Sequence, residues 1–472
     1  MKERKNRRKK EASLLVRIPL GLIAIAALLF LSLSAVKFCL GLFMTGDYIV
    51  SFPWGSSPVV QESLRTDPNK NKPGSASNAD GEADQQIAYA TISVAGDIMT
   101  HMPVVRSGET DGGYNYDYIF TYLSKYLEAS DYAVVNLEAT LSGTDNENKY
   151  TGSPNFNAPD AIADAAKAAG FDLMLTGNEH CNDYGTYGLK RTLDILKNRG
   201  LDTLGTTSTD KEDKFLIRDL NGIQVGMLCY TQADTDSGRD TPTINKTTLD
   251  SNGAGLLNCF DDSRLDDFYS EMEQHIAAMK EAGAEAIVLY IHWGKEYTTS
   301  RNDTQAAMAQ KLCDLGVDVI VGGHTHTVQP IELLTATDDP NHTTVCMYSV
   351  GNLVSNQRHD DSAMSSGHTE DGVVFSFTLA KYADGTVCVD SVDLLPIWVL
   401  MQGSGSDRSY TILPLDSDQN WKTVFQLSTD QLQDAQSSYS RTSEILNISK
   451  KAVETALAEA KAARETPPAT GT

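Results

Sequence analysis

Apolar residues are spread along this chain in three regimes. Ile18 to Val36 is almost continuous Leu, Ile, Ala and Val. At helical rise this run spans roughly 28 Å, the thickness of a bilayer's hydrocarbon core. Residues 55–87 are the opposite, rich in Ser, Pro, Asn, Asp and Gly with few large apolar groups. From about Ile87 to Met401 short apolar runs alternate with longer amphipathic ones. Thr91–Ala95, Tyr132–Leu137, Phe171–Thr176, Ala286–Ile291 and Val317–Val321 read as strands. Asp160–Ala169, Gly188–Arg199, Arg264–Ala282 and Thr304–Leu315 read as helices. That alternation predicts an α/β fold with much parallel or mixed sheet. Val345–Ser349, Val373–Ala380 and Val387–Leu394 follow as strands with no helices between them, so a late antiparallel portion is expected.

The chain therefore divides into a tail at residues 1–13, a transmembrane signal anchor at 14–44, a flexible linker at 45–87, a body at 88–401 and an acidic C-terminal tail at 402–472. Within that last tail an Ala-, Glu- and Lys-rich stretch predicts a helix over 442–464. A cleaved signal peptide is the alternative to the anchor. Its apolar region is normally shorter and ends in a small-x-small site, whereas here the run continues past Ser32-Leu33-Ser34.

Charge gives the anchor a direction. The first ten residues hold seven Lys or Arg and one Glu, while the whole chain carries −24, so the remainder carries about −30. A basic block before the apolar run keeps the N-terminus in the cytoplasm and places the body outside a single-pass cell membrane. An acidic body repels phosphate backbones, which argues against nucleic acid as a partner, and is compatible with cations. Seven cysteines include no Cys-x-x-Cys pair, so neither a zinc ribbon nor a thioredoxin-like motif is indicated.

The candidate chemistry sits at strand ends. Val317–Val321 leads into Gly322-Gly323-His324-Thr325-His326, a glycine turn followed by two imidazoles that can reach one point. The other four strands end in ligand-type residues as well: Asp97, then Glu138, then Asn178-Glu179-His180, then His292. Open α/β sheets build their sites at the carboxyl ends of strands. Taken singly, Asp97 could be a turn residue, Glu138 a helix-start carboxylate, His180 a backbone partner and His292 a packed core histidine. Five coincidences together favour a metal site.

With those residues in place the chain resembles the CapA family of capsule-synthesis, poly-γ-glutamate-associated proteins. The likeness rests on Gly96-Asp97, Asn136-Leu137-Glu138, Asn178-Glu179-His180 with Asp183-Tyr184-Gly185, His292-Trp293-Gly294 with Glu296-Tyr297, Gly323–His326 with Val328-Gln329-Pro330, and Tyr348–Asn352, in that order. The resemblance implies a four-layer α/β/β/α metallophosphatase-like sandwich with the site between its sheets. It implies that Asp97, Glu138 and His326 hold one metal position. Glu138, Asn178 or Glu179, His292 and His324 hold the other, with Asp97 and His180 serving catalysis. It further implies membrane attachment and possible partnership with other capsule or poly-γ-glutamate synthase subunits.

Two positions depart from the pattern. Metallophosphoesterases begin Asp-x-His, and Met99 stands where that histidine falls. Glu179 stands where a second asparagine is usual, adding a carboxylate. His101 lies in no motif and is expected at the surface. Carboxylates with imidazoles suit a divalent metal such as Mn, Fe or Zn. The expected activity is metal-dependent hydrolysis or transfer. A non-catalytic polymer-export or binding subunit with a residual metal site, and a cell-surface metallophosphatase without a capsule role, are the alternatives.

Overall fold

The computed structural model describes residues 88–145, 148–234, 242–249 and 253–465. The basic tail, signal anchor and linker expected over residues 1–87 lie outside them. Among the described residues no helix is long and apolar enough to cross a membrane.

The chain builds half of one sheet, all of a second, and then returns to finish the first. Strands β1 (Ala88–Ile98), β2 (Tyr132–Leu137), β3 (Leu173–Leu175) and β4 (Asp202–Leu204) lie side by side and parallel. Helices α1 (Ala161–Ala169) and α2 (Gly185–Asn198) connect them. The second sheet opens with a hairpin of β5 (Leu216–Leu220) and β6 (Ile223–Gln232). It continues through β7 (Cys259–Phe260), helix α3 (Leu265–Glu281), β8 (Ala286–His292), helix α4 (Asp303–Asp314) and β9 (Val319–Gly323). It ends with β10 (Ile331–Thr335) and β11 (Thr343–Met347). Its order is β7-β6-β8-β9-β11-β10. The chain then re-enters the first sheet as β12 (Asn352–Val354), β13 (Asp371–Lys381), β14 (Val387–Gln402) and β15 (Ser409–Pro414). The last three form an antiparallel meander on the free side of β1, and β12 pairs with the end of β1.

Strand alternation sorts side chains into layers. Ile92, Val94, Val134, Leu173 and Phe375 of the first sheet meet Val225, Met227, Val288, Val319 and Val345 of the second in one shared core. The first sheet's other face, with Ala95, Val135 and Met174, packs on Ile162, Ala166 and Ala169 of α1. The second sheet's outer face, with Leu228, Leu289 and Ile320, packs on Met272 of α3 and Met308 and Leu312 of α4. The fold is a mixed α/β arrangement of two facing sheets flanked by helices. Every residue of β2 and β8 is buried, which is why these strands read as continuous apolar runs.

Two expectations are corrected. The strand near residues 345–349 belongs to the second sheet, where β11 runs parallel to β9, and not to the late antiparallel set. The polar stretch after residue 401 does not leave the body: β15 pairs with β14, and Leu413, Trp421 and Ala435 pack on Trp398. The helix expected over 442–464 is present, within the longer α5 (Thr429–Glu465), which places Leu446, Val453 and Leu457 in the core between the sheets. These apolar positions are thinly spaced along an otherwise polar sequence and form one narrow stripe, so average polarity concealed them.

Candidate metal centre

Each ligand-bearing loop is set by a local constraint. Gly96 lets β1 press against the returning chain, since a Cβ there would lie 1.8 Å from the Gly351 carbonyl oxygen. Asp97 N–H donates to that same carbonyl at 3.2 Å. Gly322 does the same for β9, where a Cβ would meet the Tyr348 carbonyl oxygen at 1.9 Å. Beyond it, His324 and His326 adopt positive φ of 83° and 54°. Such a backbone costs roughly 1–3 kcal/mol per residue in non-glycine positions and persists where surrounding structure enforces it.

The structure brings Asp97, Glu138 and His326 into one cluster and Glu179, His292 and His324 into a second. In the first, His326 Nδ1 is 3.3 Å from Asp97 Oδ2 and Nε2 is 3.7 Å from Glu138 Oε1. In the second, His324 Nδ1 donates to Glu179 Oε1 at 2.9 Å and His292 Nε2 lies against Glu179 Oε2. Glu138 Oε2 is 3.8 Å from His292 Nε2, so Glu138 faces both clusters. Asn136 holds Asp97 in place, its Nδ2 donating to Asp97 Oδ1 at 2.8 Å.

Asn178 lies beside both clusters. Its Nδ2 donates to Asn136 Oδ1 and to the Leu137 carbonyl, and its Oδ1 accepts from His180 N–H. The carboxamide ties two strand-end loops together, and Glu179 is the residue of the pair that faces the site. His180 approaches Glu138 and Glu179. The Asp183 carboxylate can only accept, so its 2.7 Å contact fixes a proton on His180 Nδ1 and leaves Nε2 for the site.

Charge is crowded here. Burial, with Asp97 and Glu179 nearby, drives Glu138 well above the usual carboxylate range. Burial opposes charge on Glu179 as well, but His292 and His324 outweigh it and hold that group well below. Burial likewise disfavours protonated His324, yet Glu179 beside it lifts the ring to about 9. His180 is raised too, against the pull of burial, by Asp183.

Five buried atoms at this one place form no well-aligned hydrogen bond among the described residues: Asp97 Oδ2, Glu138 Oε1, Glu179 Oε2, His292 Nε2 and His326 Nδ1, four of them pressed together in the pairs His292 Nε2–Glu179 Oε2 and His326 Nδ1–Asp97 Oδ2. Buried polar atoms are normally satisfied, because leaving one unpaired costs about 1–3 kcal/mol. All five are metal-ligand types. A divalent cation would partner such atoms and neutralise the carboxylates, so the donor set fits a metal of the imidazole- and carboxylate-binding class.

Two neighbours went unassigned in the sequence. Glu296 Oε1 lies 3.7 Å from His326 Nε2. His101, expected at the surface, is half-buried, edge-on to the Phe156 ring at 5.1 Å, and accepts from Asn356 N–H at Nδ1. Burial lowers it to about 4. Phe156 also packs on His180 at 4.6 Å, so one ring covers both histidines. The local signal was faint: His101 follows Asp97 by four residues, and Glu296 follows His292 by four.

A two-sheet α/β body with buried carboxylates and imidazoles at converging strand ends presents a donor set compatible with a divalent metal. The family described as "Bacterial capsule synthesis protein PGA_cap" matches residues 91–357, and the chain belongs to that family. It is 30% identical to the capsule biosynthesis protein CapA of Bacillus anthracis, over 60% of this chain and 64% of that one. It is 28% identical to the PGA biosynthesis protein CapA of Bacillus subtilis, over 70% of this chain and 80% of that one. The chain spans 52% of a probable polyglutamine synthesis accessory protein of Mycobacterium tuberculosis, at 27% identity over 43% of its own length. Among solved structures, a putative 5'-nucleotidase from Staphylococcus aureus in complex with alpha-ketoglutarate aligns over 74% of this chain and 58% of that one, with a TM-score of 0.40 and 14% identity.

Proposed function

We propose that this protein is a membrane-anchored component of capsule or poly-γ-glutamate biosynthesis whose body lies outside the cell and acts as a metal-dependent hydrolase or transferase. The convergence of buried ligand atoms from Asp97, Glu138, Glu179, His292 and His326, none in a well-aligned hydrogen bond among the described residues, carries the reading. Bound there, a divalent cation supplies Lewis acidity toward a phosphoryl or carbonyl oxygen. Asp97, Glu138 and His326 would hold one position and Glu179, His292 and His324 the other. The chain's own acid is His180. Asp183 keeps its Nδ1 protonated and raises its basicity, so Nε2 is the nitrogen placed to deliver a proton to a leaving group. Asn136 and Asn178 keep the strand-end loops in register, and Phe156 screens His180 from water.

The test is metal content and turnover of the full chain in detergent, with a phosphodiester panel and γ-glutamyl peptides as substrates. His292→Ala and His324→Ala are expected to lose metal and activity together. Unchanged metal content in both variants would overturn the site assignment. One observation favours a second reading, a polymer-export subunit with a residual metal. Met99 is buried in the outer core beside Val104 and Leu137 and offers no ligand. Bound metal with no turnover on either panel selects that reading.

A further inference from the structure

We propose that Glu296 is a metal ligand, closing on its solvent side the position to which His326 belongs. The inference rests on the metal reading above and adds a residue to it.

His326 Nε2 stands 3.7 Å from Glu138 Oε1 and 3.7 Å from Glu296 Oε1. Two donors bound to one cation at about 2.1 Å sit about 3.0–3.4 Å apart across right-angled to tetrahedral arrangements. Both carboxylates are therefore within a small side-chain adjustment of sharing a cation with that ring nitrogen. Glu296, Glu179 and His326 also offer ligand atoms within 4.8 Å of one another. Glu138 Oε1 has no hydrogen-bond partner among the described residues although the residue is fully buried, which suits a ligand atom. Met99 leaves it one protein ligand short.

The loop that carries Glu296 is built to hold it there. Gly294, at φ 95°, donates its N–H to Gln232 Oε1 at 3.0 Å, and Tyr297, at φ 61°, donates its N–H to the Thr325 carbonyl at 2.8 Å. The second bond joins the Glu296 loop directly to the residue between the two site histidines. Left-handed backbone at Tyr297 is unfavourable for a non-glycine residue, and it aligns the loop with the equally strained His324 and His326. The Glu296 side chain is 47% exposed while that of His326 is 1% exposed. It reaches the cluster from solvent, where the other carboxylates reach it from the core.

The experiment titrates the full chain in detergent with Mn²⁺ alone, reading affinity and stoichiometry by calorimetry and electron paramagnetic resonance. Glu296→Gln is expected to weaken one Mn²⁺ by about tenfold or more, since changes even in supporting residues of metal sites cost about 10–100-fold. Glu296→His, which restores a ligand without restoring charge, is expected to recover most of that loss. Glu296→Gln with unchanged affinity and stoichiometry, beside a His292→Ala that loses metal, overturns the inference and leaves the metal reading standing. A Glu296→His as weak as Glu296→Gln also overturns it, by reducing the role to charge. A wild-type chain that binds no Mn²⁺ overturns both.

Discussion

Replacing Arg441 with Met tests whether the C-terminal helix is structural support for the centre or an appendage. Arg441 on α5 grips Asp371 at the start of β13 with two bonds, Nε to Oδ2 and Nη2 to Oδ1, each 2.8 Å. The Asp371 side chain is 2% exposed. Removing one partner of a buried pair leaves an uncompensated charge and costs about 3–5 kcal/mol. Whole domains have about 5–15 kcal/mol of stability, so the loss is a large share. With an unfolding entropy of roughly 2 cal/mol/K per residue, a body of this size loses about 5 °C in Tm. Burial already raises Asp371 despite Arg441, and losing the guanidinium raises it further. A carboxyl raised in the folded state contributes stability below its unfolded value and loses it as pH climbs through the folded value. The Arg441→Met deficit is therefore expected to be larger at pH 8 than at pH 5. Asp371→Asn in the same chain should recover most of it, because the orphaned charge is gone. Urea unfolding followed by circular dichroism at the two pH values measures the wild type and both variants. A deficit below about 1 kcal/mol at pH 8, or no recovery in the double variant, would refute the reasoning.

Ending the chain at Gln402 removes Leu446, Val453 and Leu457 from the inter-sheet core; at about 1.5–3 kcal/mol each, together with the Asp371 partner, their loss is expected to abolish cooperative unfolding, which thermal melts would show. Gly322→Ala puts a Cβ where the Tyr348 carbonyl stands; overpacking of about 1–3 kcal/mol and a displaced His-Thr-His loop should lower both Tm and bound metal, and an unchanged metal content would count against the close approach. Asp318 is raised to about 6 by burial, so its contribution is full below about pH 4 and lost as pH passes 6. Asp318→Asn should flatten the stability profile between those values, and a profile parallel to wild type would contradict the assignment.

The ligand loops were legible because Val134–Leu137, Val288–Ile291 and Val319–Val321 are buried on both faces. They announce themselves as apolar runs, and the next polar residue marks the site end. What lay off the strand ends was not legible. Glu296 sits four residues past β8, in a loop with positive φ at Gly294 and Tyr297. Asn178 and Glu179 are neighbours of similar ligand type. Asn178 is tied to Asn136, 42 residues away in sequence, by a hydrogen bond that the local sequence does not announce. His101 looked exposed because the ring that covers it, Phe156, comes from a distant loop. Helix α5 looked like a tail because its few apolar side chains find partners only in strands far earlier in the chain.

The return of the chain to its first sheet also bears on synthesis. Ala88 on β1 pairs with Lys381 on β13, so the partner for that side of β1 is made nearly three hundred residues after β1 itself. Until it arrives, β1 is a long open edge, the kind of surface on which unfinished chains join one another. Pairings so distant in sequence close slowly. A chain interrupted before about residue 380 therefore has no way to protect that edge by itself, whatever the state of its metal ligands.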